Sequence, residues 1–148
     1  MSAYETVVVG TDGSDSSLRA VDRAGQLASG PGAKVIVASA YLPEPEDTRA
    51  ADLLKGEGYK MAGNAPVYEL LRDARDRAKA AGATEVEERA VEGAPVDALI
   101  ALVEEVGADL LVIGNVGLNT IAGRLLGSVP ANVARRSKTD VLIVHTSE

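Results

Sequence analysis

Apolar positions along this chain fall into five short runs, separated by stretches in which they recur every three or four residues. The runs are 6–10, 34–41, 85–91, 109–113 and 141–145. Four of them are apolar at nearly consecutive positions, the pattern of strands covered on both faces. The third, Glu85-Val86-Glu87-Glu88-Arg89-Ala90-Val91, alternates loosely and is the most polar, which predicts a strand at an exposed sheet edge. After the first run, Leu18, Val21, Ala24 and Ala28 keep helical spacing, with Ser14 as N-cap and Gly30-Pro31-Gly32 as stop. A second helix is expected from Pro66, capped by Asn64, with the stripe Val67, Leu70, Leu71, Ala74 and Ala78 and an end at Gly82. The third opens at Pro95, carries Val96, Leu99, Ile100 and Val103 inward, and stops at Gly107. A fourth is expected over 128–138, turning Val129, Val133 and Ala134 inward and tolerating Pro130 in its first turn.

Strand and helix alternate throughout, so the predicted class is α/β: one domain, 1–148, with an open, mainly parallel five-stranded sheet and helices on both faces. Composition agrees. Hydrophobic residues make up 46% but aromatics only 3%, so the core must be Val, Leu, Ile and Ala, as suits a buried sheet under Ala-rich helices. One stretch breaks the alternation. Residues 42–64 hold two Pro, three Gly and several acids around a short helical pattern at 48–55, and read as a long loop. Its apolar members Leu53, Leu54, Tyr59 and Met61 argue that part of it packs against something.

Chemistry concentrates where the fourth run ends. Residues 114–128 join a buried strand to a helix through fifteen residues rich in Gly, where a plain connection needs about two to six. Without Cβ, the backbone N–H groups there can approach a ligand closely. If Ser128 caps the next helix, its hydroxyl and the free first-turn N–H groups face one point that favours negative charge. A phosphate fits; so does an ordinary turn with a serine cap. Asp12, in the turn after the first strand, is similarly open between an Asx turn and a ligand contact. With nucleotide-site character after strands one and four, those strands should be neighbours where the winding reverses, which gives the order 3-2-1-4-5.

Competing sites lack their residues. The turn Gly10-Thr11-Asp12-Gly13 misses the dinucleotide spacing G-x-G-x-x-G, and no Gly-Lys-Ser/Thr is present for a phosphate-gripping lysine. There is no G-x-S-x-G nucleophile elbow. His145, the one His, lies on an apolar terminal run expected to be away from the crevice, and reads as structural. Acid pairs such as Glu85 with Glu88, and Glu104 with Glu105, read as solvated faces. The loop Thr11-Asp12-Gly13-Ser14-Asp15-Ser16 partly resembles the pyrophosphate loop S-G-G-x-D-S of adenylating enzymes, but Asp12 replaces a glycine and would repel a polyphosphate unless Mg²⁺ intervened.

The spacing Gly114, two residues, Gly117, nine residues, Gly127-Ser128 matches G-x2-G-x9-G-[ST]. With the opening VVVGTDGSDSS and the closing TDVLIVH, the chain resembles the universal stress protein family over essentially its whole length. The resemblance implies a Rossmann-like fold with the same strand order and an adenine-nucleotide site. It implies Gly117, Gly127 and Ser128 as phosphate donors, Asp12 at the nucleoside end, backbone groups of Ser39 and Ala40 near the base, and Gly10 and Gly114 leaving room for close approach. The ending SVPANVARRSKTDVLIVHT resembles small actinobacterial-type members associated with cyclic AMP, whereas the family's nucleotide-binding branch is associated with ATP. Neutral N–H donors, with Arg124 nearby and no dedicated Lys, suit one singly charged cyclic phosphate better than a triphosphate. Cyclic AMP (cAMP) is therefore favoured, with ATP also bound and Mg²⁺ called for only with ATP; no catalytic residue and no metal site are assigned.

Charge and cysteine content narrow the partners. Fifteen Lys plus Arg against twenty-two Asp plus Glu give a net charge of −7, which disfavours nucleic acid and anionic membrane surfaces. No Cys means no disulfide, thiolate nucleophile or Cys-ligated zinc. No apolar stretch is long enough to span a membrane and MSAYET is not a signal peptide, so a cytoplasmic location is expected. Strand five would occupy the second edge with Val141-Leu142-Ile143-Val144 apolar on both faces, which predicts a homodimer along that run. Three functions stay open: a nucleotide-sequestering or nucleotide-sensing binder without chemistry, an adenylating or weakly ATP-hydrolysing enzyme, and a nucleotide-free protein-interaction module.

Overall fold

Valine-rich runs with no polar face are satisfied only inside a sheet covered on both sides, and that is where they lie. The structure, a computed structural model, describes residues 4–41, 57–115 and 128–145, and their side chains except at 57–66 and 128–129. Strand β1 (Thr6–Gly10) leads through α1 (Asp15–Leu27) to β2 (Lys34–Tyr41), and α2 (Glu57–Ala81) precedes β3 (Val86–Glu92). Helix α3 (Pro95–Val106), β4 (Leu110–Gly114), α4 (Ser128–Arg136) and β5 (Asp140–Val144) complete the chain. The strands form one parallel sheet in the order β3-β2-β1-β4-β5. That is the order expected from a reversal of winding between β1 and β4.

Alternation along the strands sorts the core into two layers. Val7, Val9, Val35, Val37, Leu110 and Val112 face α1 and α2, where they meet Ala20, Val21, Ala24, Leu71, Ala74 and Ala78. On the other face, Val8, Ile36, Ala38, Leu111 and Ile113 meet Leu99, Leu102 and Val103 of α3 and Val133 of α4. Each fully buried Val, Leu or Ile contributes about 1.5–3 kcal/mol. Small residues let α1 and α2 approach closely. Asp109 fastens the entry to β1 by accepting the Glu5 and Thr6 N–H groups, both at 3.0 Å.

Some expectations need correction. Helix α2 begins at Glu57, so 57–64 is helical rather than loop, and the chain passes through Asn64 and Pro66 without stopping. A proline there costs about 3 kcal/mol, but the long turns downstream have already met the cost of nucleation, and Lys60, Met61 and Ala62 are good helix formers. The short helix expected at 48–55, with Leu53 and Leu54, lies outside the described residues, as do the side chains of Tyr59, Met61 and Val129. Ala134 is exposed; Pro130 and Val133, three apart, set the inward line of α4, which ends at Arg136. In α1 the buried line is Ser17, Ala20, Val21, Ala24 and Gly25, and Leu18 is only half-buried. Strand β3 spans 86–92 and stands at the sheet edge, as its alternation implied.

Candidate functional site

Because every strand is parallel, the carboxyl ends of β1, β2 and β4 open on the same edge, and the N-termini of α1 and α4 rise from it. Register brings the expected residues together there. Gly10 is paired with Ala38, one and two residues before Ser39 and Ala40, while Gly114 closes β4 on the other side of β1. This is where chain crossings leave β1 in opposite directions, the usual place for a crevice in an open α/β sheet. Ser39 and Ala40 point to opposite faces, Ser39 being only 4% exposed, so what both can offer one ligand is main chain.

The turn after β1 is held by hydroxyls. Thr11 N donates to Ala38 O at 2.9 Å, extending the ladder by one bond. Asp12 Oδ1 accepts from Ser14 N at 3.0 Å, the Asx turn that its residue type allows. Gly13 has φ +85°, a left-handed backbone that a residue with Cβ rarely takes, and a Cβ built there would stand 3.4 Å from Leu70 Cβ of α2. Ser14 caps α1, its Oγ accepting from Ser17 N at 3.2 Å. Thr11 and Ser17 were not singled out from sequence, yet they are buried and their hydroxyls lie 2.8 Å apart. The one signal available was a serine on the inward line of an otherwise apolar helix face.

Across the edge, Gly114 is followed by Asn115, whose N–H continues the sheet by donating to Val144 O at 2.8 Å. The in-phase pairing of Gly114 with Val144 also sets Asn115 beside His145, with Asn115 Nδ2 3.2 Å from His145 Nδ1. His145 is thus just past β5, exposed, and against the first residue of the glycine-rich connection, closer to the crevice edge than its place in the sequence implied. Gly117, Arg124 and Gly127 lie outside the described residues. Ser128 begins the nine-residue α4, so its main chain stands at the positive end of that helix dipole. Among the described residues, no three His, Cys, Asp or Glu side chains group to hold a metal ion, and no helix is long and apolar enough to cross a membrane.

Glu85, Glu104 and Glu105 are exposed, as solvated faces require, and several acids on and near β3 also form ion pairs. Glu87 pairs with Lys34 at 3.3 Å, Glu88 with Arg75 at 2.9 Å, and Glu105 with Arg89 at 2.8 Å.

Residues 3–145 match the universal stress protein family. Universal stress protein Rv1636 of Mycobacterium tuberculosis is 71% identical over 147 residues, covering 99% of this chain and 100% of that protein. A crystal structure of a universal stress protein in complex with cAMP is 68% identical, covers 99% of this chain and 100% of that one, and superposes with a TM-score of 0.76. The universal stress protein of Archaeoglobus fulgidus in complex with dAMP, 24% identical with 95% and 97% covered and a TM-score of 0.65, shares the fold.

Proposed function

Because the chain belongs to the universal stress protein family, we propose that its crevice takes up an adenine nucleotide, cAMP in preference to ATP, and holds it without chemistry. In this reading the protein sequesters or senses the nucleotide, in the cytoplasm. The observation that carries it is the end-to-end likeness to a relative crystallised with cAMP, at 68% identity. Gly10, Ala40 and Gly114 lie on one edge of the sheet around the β1–β4 junction, as such a site needs.

Gly117, Gly127 and Ser128 would supply main-chain N–H groups to the phosphate, where the α4 dipole adds to them. Asp12 would accept from a ribose hydroxyl, and main-chain groups of Ser39 and Ala40 would meet the base. Gly10 and Gly114, lacking side chains, leave the ligand room to approach. A single anionic charge matches neutral donors; a triphosphate would bring Mg²⁺ with it, since carboxylates such as Asp12 repel uncompensated phosphate.

Competitive calorimetry with cAMP, AMP and ATP, with and without Mg²⁺, tests this. The expected order puts cAMP first and independent of Mg²⁺, with ATP gaining when the ion is added. A bulky residue at Gly117 should abolish binding. Silence from all three ligands would leave the interaction-module reading in possession, and reproducible pyrophosphate release would establish the enzyme instead.

The same proposal includes a homodimer. Strand β5 ends the sheet, pairs with β4, and presents Ile143 at 41% exposure. An apolar edge of this kind is satisfied by a second copy laid along Val141-Leu142-Ile143-Val144. Sedimentation as a monomer at micromolar concentration would refute it.

A further inference from the structure

Ser17 is 1% exposed on a helix face otherwise made of Ala, Val and Gly. Its Oγ lies 2.8 Å from Thr11 Oγ1, 3.3 Å from Asp12 N, 3.3 Å from Ser14 Oγ and 3.0 Å from Ser14 O. The Ser17 hydroxyl bridges Ser14 O, which can only accept, and Thr11 Oγ1, either hydroxyl of that 2.8 Å pair being able to donate to the other. The Asp12 N–H points at the Ser17 oxygen. Thr11 Oγ1 in turn accepts the Gly13 N–H at 3.0 Å. The main chain at both 12 and 13 therefore hangs, directly or through Thr11, on one buried hydroxyl. Asp12 Oδ1 is taken by Ser14 N, so Oδ2 is the oxygen to which no described residue donates.

We propose that Ser17 is a positioning residue that aims Asp12 Oδ2 at the ribose of the bound nucleotide, so that preference for a 2′-hydroxyl is set from beneath the turn. The inference rests on the reading of the crevice as an adenine-nucleotide site with Asp12 at the nucleoside end. A carboxylate–hydroxyl bond weakens steeply with misalignment, and a turn containing a left-handed glycine has other conformations open to it. Without the Ser17 hydroxyl, Thr11 Oγ1 loses its buried hydroxyl partner and the Asp12 N–H loses its acceptor behind the helix. The turn must shift to find another, and Asp12 shifts with it.

Calorimetry of the wild type and Ser17→Ala with cAMP and with 2′-deoxy-cAMP tests this. Losing a bond to a charged group costs about tenfold or more in affinity, so the wild type should prefer cAMP by at least that factor. Ser17→Ala should weaken cAMP about tenfold while changing the deoxy ligand less than about twofold, so that the two converge. Should Ser17→Ala fail to fold by circular dichroism, Ser17→Cys, similar in volume but a poor acceptor, carries the same comparison. Equal losses on both ligands, or no loss on either, would overturn the role of Ser17. A wild type that binds both ligands alike would overturn it too, leaving nucleotide binding intact. A wild type that binds neither overturns the site reading beneath it.

Discussion

At Gly25 the backbone of α1 lies close against α2, and Gly25→Ala measures how tightly the two are packed. A Cβ at this position would meet Ala78 O at 2.5 Å, Ala81 Cβ at 3.0 Å and Ala78 C at 3.2 Å. The nearest atom is backbone, so no rotamer change can relieve it. The helices would have to part locally by roughly 0.9 Å to restore ordinary contact. That movement loosens a layer in which Ala20, Ala24, Leu71, Ala74 and Ala78 are all fully buried. Overpacking costs about 1–3 kcal/mol in general, and a clash with backbone at this distance belongs to the upper part of that range, about 2–3 kcal/mol. Against it stands the helix propensity of alanine over glycine, about 1 kcal/mol in favour of the variant. Packing wins, and a net loss of about 1–2 kcal/mol is expected, or roughly 2–8 °C in Tm for a chain of this size. Urea denaturation with an unchanged m-value checks it. Gln26→Gly, at the exposed neighbouring position, calibrates the propensity part and should cost about 0.5–1 kcal/mol. If Gly25→Ala proves as stable as the wild type or more so, the close approach does not constrain the packing of α1 on α2.

Other outcomes follow from the same structure. Tyr4 Oη donates to Asp140 Oδ2 at 2.9 Å, and this bond first, then burial, then the charges of Asp140 and Asp109, hold the phenol above its ordinary value of 10.0. A raised pKa means that the folded state favours the protonated phenol, so the pair's stabilisation is complete below pH 10 and is lost as pH rises through the folded value. Tyr4→Phe should therefore narrow the gap between denaturation midpoints at pH 8 and pH 11, and an unaltered gap would contradict this. Asp109→Ala frees two N–H groups at the start of β1 and should cost about 1–3 kcal/mol by denaturant titration, with Asp109→Asn recovering part of it. Excess cAMP at one hundred times its Kd should stabilise the protein by about 2.7 kcal/mol, raising Tm by roughly 5–11 °C; no shift at any concentration would count against the proposed ligand. Ile143→Lys should shift sedimentation towards the monomer and leave cAMP affinity unchanged.

Strand order and both core layers were legible in the sequence because valine runs and glycine stops are unambiguous at strand length. Boundaries were less so. The reading of α2 trusted Asn64 and Pro66 as a start, though such signals weigh only a few kcal/mol against an established helix. Site residues divide along the same line. Gly10, Asp12 and Gly114 stand at an unusual turn or a strand end that announces itself locally, whereas Ala40 was implied only by the family resemblance; that all four lie at one sheet edge follows from strand pairing. Ser17 was passed over because periodicity counts apolar residues inward, and a buried hydroxyl is satisfied by partners three, five and six residues away that no pattern displays. His145 was set apart from the crevice edge for a similar reason: what seats it beside Asn115 is the pairing of β5 with β4, a tertiary fact.

The far margin of the sheet bears on assembly. Along β3, Glu87, Glu88 and Arg89 are engaged by Lys34, Arg75 and Glu105, so an incoming strand would have to displace ion pairs to add there. If two copies join through their β5 edges, as proposed, that union uses up both apolar rims and leaves the ion-paired β3 rims facing outward, so growth would halt at a pair rather than run on into a fibre.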